Sequence, residues 1–90
     1  MKQVYLKIYG RVQGVFFRNS AQEKASQLNI TGWVRNVSDE TVEITAQGSK
    51  EDLQKLIDWC YNGPRLAEVD KIEVKWQLVE DKFENFEIRY

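Results

Sequence analysis

Apolar and polar residues alternate from Val4 to Tyr9. Val4, Leu6 and Ile8 fall on one side, and Tyr5, Lys7 and Tyr9 on the other. A period of two predicts a strand. Ala21, Ala25 and Leu28 are then spaced four and three apart, the spacing of one helix face. The run Thr31–Val37, TGWVRNV, reads as a second strand, and Ser38, Asp39 and Glu40 read as a turn. Val42, Ile44 and Ala46 alternate with polar residues in a third strand, which predicts a hairpin with the second. Ser49 is placed to cap a second helix, with Asp52 three residues on in the manner of a capping box. Leu53, Leu56, Ile57 and Cys60 form its apolar stripe, and Asn62-Gly63-Pro64 stops it. Ile72, Val74, Trp76 and Leu78 alternate with Glu73, Lys75 and Gln77 as a fourth strand. Phe86, Ile88 and Tyr90 make a short fifth.

The resulting order is βαββαβ with a terminal strand. Two helices that each bury one face against one antiparallel sheet give an α+β, ferredoxin-like two-layer sandwich. Ninety residues suffice for one such domain, residues 1–90, and not for two. The fold hosts many unrelated functions, so the function must be read from the residues.

Charge and composition narrow the choice. Thirteen basic and fourteen acidic residues leave a net charge of −1, which argues against a general nucleic-acid binder. There is no His and a single Cys, so neither an internal disulfide nor a structural zinc site can be assembled. MKQVYLKIYG lacks the apolar core of a signal peptide, and no run is long enough to cross a membrane. The expectation is a cytoplasmic protein with no membrane partner. With no apolar stripe left unmatched by the elements above, a monomer is expected.

Between the first strand and the first helix lies GRVQGVFFRN, residues 10–19. A loop at a helix N-terminus presents backbone N–H groups and a partial positive charge. Gly10 and Gly14 permit the backbone angles that let those groups converge into a nest. Arg18 can reach the same anion with two parallel hydrogen bonds. Equally, the glycines can be turn residues and Arg18 an exposed first-turn arginine; the pattern alone leaves both open. The segment is neither a Walker A loop nor a dinucleotide fingerprint.

Residues 10–18, G-R-V-Q-G-V-F-F-R, resemble the first signature of the acylphosphatase family, G-x-V-Q-G-V-x-F-R, at every fixed position. Gly32-Trp33-Val34-Arg35-Asn36 resembles the start of its second signature, with Val42 and Gly48 at the later spacings. The likeness extends over nearly the whole chain. One departure is Glu40, where the family usually has Gly. A Glu there must adopt a left-handed backbone at a cost of roughly 1 kcal/mol, which bears on the hairpin turn and the aim of Asn36.

The resemblance implies hydrolysis of acyl phosphates to carboxylate and inorganic phosphate, without metal or cofactor. The partners it implies are a small-molecule acyl phosphate and inorganic phosphate as product or inhibitor. The N–H groups of Arg11, Val12, Gln13, Gly14, Val15, Phe16 and Phe17 would cradle the phosphate, Arg18 would clamp it, and Asn36 would orient the attacking water. Phosphoryl transfer depends chiefly on positioning and charge stabilisation, which a chain without His can supply. Gln13 is expected to brace the loop by hydrogen bonding, and Arg11 and Arg35 to be solvated charges that raise the local potential. A non-catalytic phosphate-binding module on the same fold is the alternative. Two other patterns carry less. Cys60 and Arg65 are one residue short of the C-x5-R of cysteine phosphatases, and Cys60 lies on the apolar stripe of its helix. Trp33, Trp59, Trp76 and the tyrosines suit base stacking on a ferredoxin-like sheet, but the basic excess of an RNA binder is missing.

Overall fold

Seven elements follow one another in the computed structural model, which describes residues 1–90. They are β1 (Lys2–Arg11), α1 (Phe17–Gln27), β2 (Thr31–Asn36), β3 (Val42–Gly48), α2 (Lys50–Asn62), β4 (Glu68–Gln77) and β5 (Phe86–Arg89). The strands form one sheet in the order β4-β1-β3-β2-β5. The first four pair antiparallel, as the alternation implied, with β1 between β3 and β4 and β2 against β3. The fifth lies parallel to β2. The chain leaves β4 at one edge, reverses, and reaches the opposite edge, where that reversed direction is the direction of β2. Gln47 anchors this crossover. Its side chain, 1 % exposed, donates to Gln3 and to the carbonyl of Asp81 and accepts the N–H of Phe83.

The helices cover one face of the sheet. Val4, Leu6 and Ile8 of β1, Val34 of β2 and Val42, Ile44 and Ala46 of β3 meet Phe17, Ala21 and Ala25 of α1 and the α2 stripe Leu53, Leu56, Ile57 and Cys60. Each fully buried Leu, Ile or Val contributes roughly 1.5–3 kcal/mol. The alanines let α1 lie close to the sheet. Phe17 reaches across to Trp59 of α2, with ring centroids 5.5 Å apart. Ser49 accepts the N–H of Asp52 at 3.1 Å, so the expected cap of α2 forms.

β2 and β5 each end one residue before their sequence reading, and two strands differ more. β1 continues to Arg11 because pairing with β4 resumes after a bulge between Tyr9 and Gly10, bringing Arg11 opposite Glu68. β4 starts at Glu68 and stops at Gln77, so Leu78 falls outside the sheet at 88 % exposed. Trp76 keeps its place on the helix-facing side of β4, but at an edge strand it is 45 % exposed.

Candidate active site

The bulge at Gly10 turns the chain out of β1. Gly10 has φ 128°, and a Cβ there would lie 2.1 Å from the carbonyl oxygen of Glu68, so only glycine fits. Beyond it, the side chains of Val12, Val15 and Phe17 are buried and pin the loop to the core. Gly14 and Phe16 take left-handed backbone angles, φ 73° and 64°, which curl the intervening peptides. The result is an unbroken run of free donors. No backbone N–H from Val12 to Asn19 donates to another group of the protein. The first such bond belongs to Ser20, whose N–H reaches the carbonyl of Phe16 at 3.1 Å. The start of α1 has no side-chain cap and no acidic residue, so nothing offsets its partial positive charge.

Arg18 and Asn36 meet over this loop. Both line a cleft of about 330 Å³, together with Val12, Gly14, Phe16 and Phe17. Arg18 stands in the first turn of α1, half-buried, with no carboxylate within ion-pair distance. Asn36 ends β2, opposite Val42, on the face that carries Val34. Its side-chain amide makes no hydrogen bond within the protein, so it is available to a water or a ligand. Two lining residues escape the sequence reading as site residues, Asn19 and Tyr90. Tyr90 arrives through the parallel pairing of β5. Arg35 lies opposite Arg89, so the next residue of each strand brings Tyr90 beside Asn36. Its ring faces the Arg18 guanidinium, 5.0 Å from centroid to carbon. The alternation Phe86, Ile88, Tyr90 signals the strand but not its partner.

Arg11, Gln13 and Val15 do not line this cleft. Arg11 is exposed at the end of β1, and the side chain of Val15 is in the core. Gln13 turns toward the hairpin between β2 and β3. Its amide nitrogen donates to the carbonyls of Val37, at 2.8 Å, and Thr41, at 2.9 Å. The loop is thereby tied to the segment that carries Asn36, the bracing expected of this residue. Within that segment Glu40 is left-handed, φ 71°, as its position required. Asp39 accepts from Thr41 and pairs with Lys7 at 2.9 Å. The Thr41 hydroxyl first, and then Lys7, hold its carboxyl down to about 2.

Arg35 and Glu43 face away from the cleft. Arg35 projects from the open side of the sheet and pairs with Glu43 at 2.8 Å. Burial pushes the Glu43 carboxyl up, but hydrogen bonds from Tyr5 and Arg35 outweigh it and leave it below its ordinary value. Cys60 is fully buried, and burial pushes its thiol up, so it is no nucleophile. A larger recess, about 510 Å³, lies at the other end of β1 against Gln3 and Gln77. Its charged lining is Glu80 and Asp81, the wrong sign for an anion.

Comparison with known proteins adds the family. The family model described as Acylphosphatase matches residues 4–88. A relative from Methylococcus capsulatus named Acylphosphatase is 46 % identical over 98 % of this chain and 96 % of its own. One of the same name from Salinibacter ruber is 46 % identical over 98 % of this chain and 93 % of its own. The crystal structure of acylphosphatase from Bacillus subtilis superposes with a TM-score of 0.97 at 36 % identity, covering 100 % of both chains.

Proposed function

The chain belongs to the acylphosphatase family and hydrolyses acyl phosphates, and we propose that it does so in the cleft between the 10–18 loop and the end of β2. In this reading the N–H groups of residues 11–17 cradle the phosphate oxygens, and the helix N-terminus adds its partial charge. Arg18 clamps the phosphoryl group and offsets charge in the transition state. Asn36 orients a water for in-line attack on phosphorus. The new bond joins the water oxygen to phosphorus, and the bond from phosphorus to the carboxylate oxygen breaks. A carboxylate leaves readily, so no general acid is needed at that oxygen. Asn is a poor base, and the water proton passes to a phosphate oxygen of the substrate. The products are the carboxylate and inorganic phosphate. The chain acts as a monomer in the cytoplasm, and its one cysteine is a buried free thiol, which suits a reducing compartment.

The observation that carries this reading is the unbroken run of N–H donors from Val12 to Asn19, with Arg18 and Asn36 on the same cleft. Its test is hydrolysis of benzoyl phosphate in excess EDTA by wild type, Arg18→Ala and Asn36→Ala. Wild type should turn over, and each variant should lose about 10²–10³ in kcat. Inorganic phosphate should cease to inhibit Arg18→Ala while still inhibiting Asn36→Ala. Full turnover by either variant would remove that residue from the mechanism. A folded wild type that binds phosphate through Arg18 without turnover would reduce the cleft to an anion cradle.

A further inference from the structure

Phe16 is a poor choice for its position on grounds of stability alone. Its ring is 72 % exposed, its backbone is left-handed at φ 64°, and it occupies the N-cap of α1 without an oxygen to offer. An N-cap favours Ser, Thr, Asp or Asn. A left-handed angle disfavours bulky side chains. An exposed phenyl ring forgoes the gain of burial. What the position provides is placement, because Phe16 lines the cleft that holds Arg18 and Asn36. Tyr90 lines the same cleft and is 97 % exposed, with its ring against Arg18. The cleft thus joins backbone N–H groups and the half-buried guanidinium of Arg18 to two exposed aromatic rings.

An acyl phosphate is divided in the same way. Its phosphoryl end is anionic and takes the donors and Arg18. Its acyl end then extends toward solvent, past whatever stands at the mouth. We propose that Phe16 and Tyr90 form a subsite for the acyl group, which favours substrates with an aromatic or extended apolar acyl chain over the bare acetyl group. The proposal rests on the hydrolase reading above and names the substrate class of that site. Stacking of one ring on another is worth about a threefold to tenfold preference. A contact made alike in ground and transition states appears in KM rather than kcat.

The test compares kcat/KM for benzoyl phosphate and acetyl phosphate in wild type, Phe16→Gly and Phe16→Asn. Gly and Asn both accept a left-handed backbone, so the loop's path is kept while the ring is removed. The benzoyl-to-acetyl ratio should fall about threefold to tenfold in both variants, mainly through KM for benzoyl phosphate. An unchanged ratio in active enzyme would overturn the subsite alone. Inorganic phosphate, which has no acyl group, separates shape from contact. Loss of its inhibition in step with the loss of benzoyl phosphate turnover would assign Phe16 to the loop's shape and overturn the proposal. Wild type that hydrolyses neither substrate would overturn the hydrolase reading itself, and this proposal with it.

Discussion

Glu40 shows what a single residue outside the lining of the Arg18–Asn36 cleft does to the hairpin. It stands at φ 71° in the turn after β2, and Gly would take that angle without its steric cost. Glu40→Gly should therefore raise stability by about 1 kcal/mol, read as a higher urea midpoint at unchanged m. In the proposed mechanism Arg18 is the opposite case, a residue with a chemical role and little structural one. Arg18→Lys keeps the charge but loses the planar fork, so kcat should fall by about tenfold or more while the denaturation midpoint stays close to wild type. Both residues were legible because each sits in a short contiguous motif whose spacing carries its meaning. Tyr90 was not. It joins the site only through the register of β5 on β2, and alternation records a strand's faces without naming its neighbour.

At the scale of elements, the site depends on a link between the 10–18 loop and the β2–β3 hairpin, and Gln13 is that link. Val37 and Thr41 offer carbonyls that also accept from Glu40 and Val37 N–H groups, at 3.1 and 2.9 Å, so losing Gln13 leaves neither wholly unpaired. Gln13→Leu should cost about 1 kcal/mol of stability. It should also lower kcat more than it weakens inhibition by phosphate, because Asn36 loses its tether while the N–H cradle remains. Asp39 stabilises the same hairpin in a pH-dependent way. Its carboxyl is held at about 2 in the fold against an ordinary 3.8, so the unfolded chain binds the proton more readily. This contribution is complete above the ordinary value and is lost as pH falls toward 2. The urea midpoint of wild type should exceed that of Asp39→Asn at pH 7, and the gap should close as pH approaches 2. An undiminished gap there would detach the stabilisation from the carboxylate. The strands and helices were readable from periodicity, and the ends of α2 from Ser49 and Gly63, but the ends of β1 and β4 were not. Bulge and crossover set where β1 and β4 stop, and those depend on the Glu68 carbonyl and the buried Gln47 amide, far away in sequence.

Across the whole molecule, nearly balanced charge coexists with one cleft of free N–H donors, and three of the cations outside it pair with carboxylates. Lys7 pairs with Asp39, Arg35 with Glu43 and Arg89 with Glu87. Arg35 and Arg89 also lie over the Trp33 ring, each 5.1 Å from its centroid, on the open face of the sheet. Arg18 alone faces the cleft, with an aromatic ring rather than a carboxylate beside it. None of the side chains that line the cleft is a carboxylate, histidine or thiol. No lining side chain is therefore of a type that ordinarily changes charge near neutrality. If the water proton goes to the substrate's own phosphate, kcat should stay level between about pH 5 and 8, where a protein base would impose a limb. The measurement is kcat for benzoyl phosphate across that range in wild type and in Asp39→Asn and Glu43→Gln, the variants that alter the two carboxylates of the hairpin held below their ordinary values. A level profile in all three assigns proton transfer to the substrate. A limb that moves when either carboxylate is replaced would place a protein base in the reaction, acting through the hairpin on the water at Asn36.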